Sequence, residues 1–195
     1  MPTTIYLIRH AHAVRTPEGK RALSDAGRAG AEHLAALLDG RPIVALYSSP
    51  SRRARQTLKP LARALGLEVV ERDDLRERQL GAVPDAERDA ATAATWADPN
   101  LAFPGGESNA AAQRRGVALI EALVRRHAGQ QIAIATHGTL LALILRHFDP
   151  TVDLAFQQRM TLPDLYALSL DDGQARVARL WDAGNTIPSH PRRDH

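Results

Sequence analysis

Thr4-Ile5-Tyr6-Leu7-Ile8-Arg9-His10-Ala11-His12-Ala13 is the stretch on which the reading of this chain turns. Its β-branched and aromatic residues form a short apolar run, the pattern of a buried strand. The run stops at Arg9-His10, two polar side chains at a strand's carboxyl end. In open α/β sheets, ligands bind outside that end. Arg9 offers an anion clamp, and His10 a nucleophile or base that works at neutral pH. Taken alone, such a pair often does no more than mark where a strand leaves the core. His10 and His12 could also share a metal ion, but the fixed charge of Arg9 beside them repels a divalent cation. The phosphate reading gains only if distant segments bring partners to the same place.

At 195 residues, 44% hydrophobic and 24% charged, the chain has the make-up of one soluble globular domain. We read residues 1–188 as that domain and 189–195 as a frayed tail. No apolar run approaches the roughly 20 residues that span a bilayer. The N-terminus lacks a basic region followed by an apolar one, so no signal peptide is expected. Cysteine is absent, which excludes disulfides and thiolate chemistry and is compatible with the expected cytoplasmic location. The formal charge is +3, and acidic residues are interspersed among the basic ones. There is thus no basic stripe for nucleic acid, and aromatics at 4% leave few stacking platforms.

Val14 to Ala22, with Pro17 and Gly19, reads as a loop. Ser24 then caps a helix bearing Leu34, Leu37 and Leu38 on its apolar face. Ile43 to Tyr47 is a second buried strand, closing in Ser48-Ser49-Pro50, and a helix follows from Ser51 to Leu65, ended by Gly66. Leu67 to Glu71 is a short strand, and Asp85 to Trp96 an Ala-rich helix. A long helix covers Asn109 to His127, and Ile132 to Ala135 is a strand ending in Thr136-His137-Gly138 before the helix Thr139 to His147. Leu165 to Leu170 and Arg176 to Trp181 alternate around Asp171-Asp172-Gly173, a hairpin signal. This order predicts a three-layer α/β/α sandwich with a mostly parallel central sheet.

Parallel strands bring their carboxyl ends to one edge. Arg9-His10, Ser48-Ser49 with Arg52 and Arg53, and His137-Gly138 can therefore converge, each beside a helix N-terminus that favours an anion. Two histidines, several arginines and no carboxylate cluster describe a phosphoryl site that works without Mg²⁺.

The blocks that carry these residues resemble those of the histidine phosphatase superfamily, with its phosphoglycerate-mutase-like fold. Leu7-Ile8-Arg9-His10-Ala11 resembles the opening Arg-His-Gly signature, and Leu23-Ser24-Asp25-Ala26-Gly27 the Leu-Ser-x-x-Gly of the first helix. Ser48 to Thr57 is similar to the Ser-Ser-Pro-x-x-Arg-Ala-x-Gln-Thr block. Leu75-Arg76-Glu77 resembles the acid segment, Pro104 to Ser108 the Pro-Gly-Gly-Glu-Ser block, and Thr136-His137-Gly138 the second histidine motif. They come in family order, from Ile5 to about Leu145.

The resemblance implies that His10 is the nucleophile, forming a phosphohistidine. It implies that Arg9, Arg53 and His137 hold the phosphoryl oxygens, with Gly138, Thr139 and His12 on the substrate side. Arg53 rather than Arg52 takes this role because it occupies the Arg of the Arg-Ala-x-Gln-Thr block; Arg52 and Arg55 are expected to face solvent. Glu77 would protonate the leaving oxygen and then activate water, with Glu71, Glu87 and Glu107 as competing carboxylates. No metal and no cofactor are implied. His33, His127 and His147 are expected at the surface or as caps. Ala11 stands where the family has Gly, and His12 where it often has an acid or amide.

The mutases of this family carry a longer insertion before the Pro-Gly-Gly-Glu-Ser block. Here the corresponding lid, residues 78–108, is short and holds Arg78 and Arg88 as its only cations. Val83, Trp96 and Phe103 hint at a weakly charged leaving group. Hydrolysis of a small-molecule phosphomonoester, or of a phosphoprotein, is therefore favoured over mutase transfer. Two further readings come from other classes: a non-catalytic phosphate- or phosphopeptide-binding module, and a metal-dependent hydrolase. Monomer and homodimer are both left open.

Overall fold

In the computed structural model, which describes residues 1–15, 21–171 and 173–181, the opening stretch forms strand β1 (Thr3–Arg9). A ribbon of β2 (Ala13–Arg15) and β3 (Arg21–Leu23) follows, then α1 (Asp25–Leu37), β4 (Ile43–Ser48), α2 (Arg52–Leu65) and β5 (Val69–Glu71). Next come α3 (Arg88–Ala97), α4 (Asn109–Arg126), β6 (Gln131–Thr136), α5 (Gly138–Phe148) and α6 (Leu154–Arg159), with β7 (Asp164–Asp171) and β8 (Gln174–Arg179) closing the series.

Among the described residues the main sheet has six strands in the order β5-β4-β6-β1-β7-β8. β5, β4, β6 and β1 run parallel, while β7 pairs antiparallel with β1 and β8 with β7. Side chains alternate across a strand, so each central strand feeds two cores. Ile5, Leu7, Ile132 and Ile134 pack with Leu119 and Ile120 of α4 and Leu140 to Leu145 of α5. Tyr6, Ile8, Ala133 and Ala135 turn the other way, onto Leu34 of α1 and Leu58 and Leu61 of α2. The result is the expected three-layer α/β/α sandwich. No helix among the described residues is long and apolar enough to cross a membrane.

Ser24 Oγ accepts from Gly27 N–H and starts α1, and Gly66, at φ +65°, ends α2 in the left-handed conformation. The Leu-Ser-x-x-Gly pattern also has a steric cause. A Cβ on Gly27 would lie 2.0 Å from the His12 carbonyl oxygen, so only glycine lets the first turn of α1 pack there.

Two expectations change. The predicted Val14–Ala22 loop has paired ends: Val14 faces Ala22, and Ala13 faces Leu23. Ala11, Ala13, Leu23 and Ala31 bury together, which gives this short ribbon an apolar foot despite its polar surroundings. Pro17 and Gly19 lie outside the described residues. The last strand stops at Arg179 rather than Trp181, because the Leu180 and Trp181 N–H groups turn back onto the Leu165 carbonyl and Trp181 enters the core beside Leu34. Residues 189–195 lie outside the described part of the chain.

Candidate active site

Strand order explains why three distant segments meet. β6 lies between β4 and β1, and its ladder continues past the strand ends: His10 N–H donates to the Thr136 carbonyl at 3.0 Å and Ser49 N–H to that of Ala135 at 2.9 Å. His10, His137 and Ser49 therefore emerge side by side. α2 and α5 start at this edge, and their N-terminal amides add positive potential.

The Arg53–Thr57 block is the clamp that sets Arg53. Ala54 is fully buried and seats α2 on the sheet. Gln56 Oε1 accepts from Leu23 N–H at 2.9 Å. Thr57 Oγ1 accepts from Ala11 N–H at 2.9 Å and donates to the Arg53 carbonyl at 2.8 Å. The helix carrying the arginine and the turn carrying the histidine are thus tied together by one hydroxyl. Arg52 and Arg55 point outward, the latter to Glu71.

His10 Nδ1 lies 2.9 Å from the Ala11 carbonyl, and Arg53 Nε donates to His10 Nε2 at 2.9 Å. An arginine can only donate, so the ring carries its proton on Nδ1 and presents a lone pair at Nε2. Arg53 Nη2 also donates to His137 Nδ1 at 2.9 Å, and His137 Nε2 sits 2.8 Å from Ser49 Oγ. One guanidinium therefore bridges two imidazoles whose ring centres are 5.1 Å apart. Burial, then the charges of His137 and Arg53, hold His10 well below the usual histidine range. Burial, then Arg53 and Arg9, do the same to His137. Both rings are neutral at neutral pH.

Arg9 Nη1 donates to the Met160 carbonyl at 2.7 Å, and its buried Nε has no hydrogen-bond partner among the described residues. Its guanidinium lies across the start of α5. A Cβ on Gly138 would sit 3.0 Å from Arg9 Nε and 3.1 Å from Cζ and Nη2, so the glycine after His137 makes room for the arginine before His10.

Glu77 joins this group. Its Oε1 accepts from Arg78 N–H and Leu140 N–H, both at 2.9 Å, and Oε2 accepts from Thr139 N–H at 3.1 Å. The carboxylate so occupies the N-terminus of α5 and exerts its charge on Arg9 and Arg53. The competing carboxylates are engaged elsewhere or exposed: Glu71 pairs with Arg55, Glu107 grips Arg115 with both oxygens, and Glu87 faces solvent. The Pro104–Ser108 block is a packing device. A Cβ on Gly106 would lie 2.5 Å from the Leu80 carbonyl oxygen, and Ala82 N–H donates to the Pro104 carbonyl at 2.9 Å.

Not every expected residue is drawn in. His12 Nδ1 is engaged with Ser24 Oγ at 2.8 Å, which turns that nitrogen toward the cap of α1 rather than toward the arginines and histidines of the site. Thr139 gives its N–H to Glu77, and its Oγ1 accepts from Gln157 Nε2 at 3.3 Å. Trp96, expected in the lid, is engaged within the fold. Its Nε1 donates to Gln157 Oε1 at 2.8 Å, it packs on the α4–α5 core, and Arg146 stacks over it. His127 caps α4, yet it is buried against the Tyr47 hydroxyl rather than set at the surface.

Other residues of the site carry no signal in the sequence. Met160 and Asp164 anchor the Arg9 side, Asp164 being fully buried and accepting from Thr161 N–H, Leu165 N–H, the Tyr166 hydroxyl and Arg179. Arg21, at the start of β3, is exposed and adds its charge to Arg53 and His137. Among the described residues, no group of three or more His, Asp or Glu is placed to hold a metal ion.

An α/β/α sandwich whose central parallel strands deliver two neutral histidines and Arg9 to one edge, where α2 adds Arg53, defines a phosphoryl-transfer class. Residues 5–183 match the histidine phosphatase superfamily (branch 1), and the chain belongs to that family. It is 29% identical over 160 residues to a protein of Arabidopsis thaliana described as a metal-independent phosphoserine phosphatase, covering 73% of this chain and 67% of that one. It is 31% identical over 197 residues to the bifunctional protein Rv2228c of Mycobacterium tuberculosis, covering 94% of this chain but only 52%, about half, of that relative. Among solved structures, Bacillus stearothermophilus YhfR superposes with a TM-score of 0.78 at 26% identity, covering 94% of this chain and 98% of the other. Family and fold together indicate a phosphatase-type hydrolase.

Proposed function

We propose that the protein hydrolyses phosphomonoesters of small molecules through a phosphohistidine on His10, without metal or cofactor. The observation that carries this is the fixed tautomer of His10, with Nδ1–H held by the Ala11 carbonyl and the Nε2 lone pair facing Arg53. The arriving phosphoryl group draws Arg53 off both rings, which frees His10 Nε2 and His137 Nδ1 together. Nε2 then attacks phosphorus and the ester P–O bond breaks. The imidazole gains positive character, and the Ala11 carbonyl strengthens its hold on Nδ1–H. Arg9 and Arg53 stabilise the charge on the phosphoryl oxygens. Negative charge nearby favours the protonated, donating form of His137.

Glu77 supplies the proton to the leaving oxygen. Oε1 already accepts two hydrogen bonds, whereas Oε2 accepts one and keeps a lone pair for the transferable proton. In the second half-reaction Glu77 takes a proton from water, the water oxygen bonds phosphorus and the P–N bond breaks. Phosphate leaves and both groups return to their starting state. The shortness of the 78–108 segment, read as the lid of a catalytic domain over 1–188, and the phosphatase description of the Arabidopsis relative favour hydrolysis over mutase transfer.

The experiment is acid–base trapping of the intermediate. Enzyme mixed with excess phenyl phosphate and denatured in base is expected to carry one phosphoryl group on the peptide containing His10, lost on acid treatment and absent in His10→Ala. An acid-stable adduct, or one on another residue, would overturn the proposal.

A further inference from the structure

Helix α6 meets the site at two points. Just past its end the Met160 carbonyl accepts from Arg9 Nη1, and about one turn earlier Gln157 meets Thr139. The Gln157 amide fits only one way round. Trp96 Nε1–H can donate but not accept, so at 2.8 Å it fixes Gln157 Oε1 as its acceptor and leaves Nε2 to donate to Thr139 Oγ1 at 3.3 Å. Thr139 is the second residue of α5, and its N–H is donated to Glu77 Oε2, the oxygen that carries the transferable proton in the mechanism above. Gly138 before it offers no side chain. The first turn of α5 is therefore anchored by the buried Leu140 on the core side and by the Thr139 hydroxyl on the α6 side. A branched side chain has few rotamers, so a bond at Oγ1 restrains the residue that carries it.

The other end of this chain of bonds lies in the 78–108 segment. Trp96 is the last residue but one of α3, and beside it the Thr95 carbonyl accepts from Asn109 Nδ2 at 2.9 Å. The indole packs on the α4–α5 core, with the Arg146 guanidinium 5.5 Å above its centre. The seating of α3 and the placement of Glu77 thus share one amide. We infer that Gln157 is a positioning residue for the acid: through Thr139 it sets Glu77, and through Trp96 it makes that setting depend on α3 being seated.

The inference rests on the reading of Glu77 as the acid, and kcat/KM on two esters tests it. Glycerol 3-phosphate releases an alkoxide that needs a proton, whereas 4-nitrophenyl phosphate releases a phenolate that does not. Gln157→Met fills the space without the amide, and is expected to lose about tenfold on the first ester and less than about twofold on the second. Trp96→Phe removes the indole N–H and should show the same pattern at about threefold; it decides the matter should the methionine variant not fold. Added to Glu77→Gln, Gln157→Met is expected to cost nothing further on glycerol 3-phosphate, because it acts through the group already removed. Equal losses on the two esters, no loss on either, or full additivity with Glu77→Gln would overturn the inference. A Glu77→Gln enzyme that treats the two esters alike would instead overturn the reading of Glu77 as the acid, and this inference with it.

Discussion

Replacing Glu77 by Gln keeps the shape of the side chain and removes its charge and its transferable proton. The geometry sets the size of both losses. If the new amide oxygen serves Arg78 N–H and Leu140 N–H, the amide nitrogen must face Thr139 N–H, donor against donor, across the 3.1 Å now spanned by a hydrogen bond. One bond and the negative charge at the N-terminus of α5 are lost, a cost of about 1–2 kcal/mol in stability. The chemical cost depends on the leaving group. 4-Nitrophenolate departs without a proton and should lose little, whereas an alkoxide needs the acid and should lose about 10²–10⁴-fold in kcat/KM. The assay is kcat/KM across aryl and alkyl phosphates of rising leaving-group basicity, beside urea unfolding of both proteins. A loss uniform across the series would refute the role, because it would mean that Glu77 only holds α5 in place. No loss with alkyl substrates would refute it more directly.

His10 and His137 are both held well below the ordinary histidine range by burial and neighbouring arginines. In the unfolded chain they protonate below about pH 6.5 while the folded rings stay neutral, so stability is full above that pH and falls below it. Each contributes a slope of up to about 1.4 kcal/mol per pH unit, and His137→Asn is expected to remove one such share in urea titrations run from pH 7 to 5. Gly138→Ala puts a methyl 3.0 Å from Arg9 Nε while Met160 pins the other end of that guanidinium. A displacement of a few tenths of an ångström should lower kcat/KM about tenfold with little change in melting temperature, as a phosphatase assay and a thermal melt would show. Gly27→Ala places its Cβ 2.0 Å from the His12 carbonyl oxygen, and the shift forced on this packed turn should cost about 2–3 kcal/mol in urea unfolding.

Much of this was legible because it depends on local pattern. The alternation Ile5-Tyr6-Leu7-Ile8 and Ile132-Ala133-Ile134-Ala135 specifies strands with two buried faces, and their polar ends mark the edge where His10 and His137 meet. The Ser48–Thr57 block was legible as a unit because it is contiguous in one turn and one helix, although Gln56 and Thr57 act on Leu23 and Ala11 of other segments. What escaped depends on register and on contacts across the fold. Asp164 is buried because the β7–β8 hairpin sets Tyr166 opposite Arg179 and both reach its carboxylate, which no local signal in Leu162-Pro163-Asp164 announces. Arg78 counts in the sequence only as one of two lid cations, because sequence does not tell which cations lose their water. Gln157 lay in an unremarked helix, yet it links Trp96 to Thr139, whose N–H meets Glu77. The ribbon of β2 and β3 hid in a polar segment for the same reason: its apolar foot includes Ala11 and Ala31, from outside it.

The most direct test of the account is the hydrolysis of 4-nitrophenyl phosphate in excess EDTA, wild type beside His10→Ala. The account predicts full activity of the wild type in chelator and loss of about 10³-fold or more in the variant. Wild-type activity that disappears in EDTA and returns with a divalent metal, or turnover that survives the loss of His10, would contradict it.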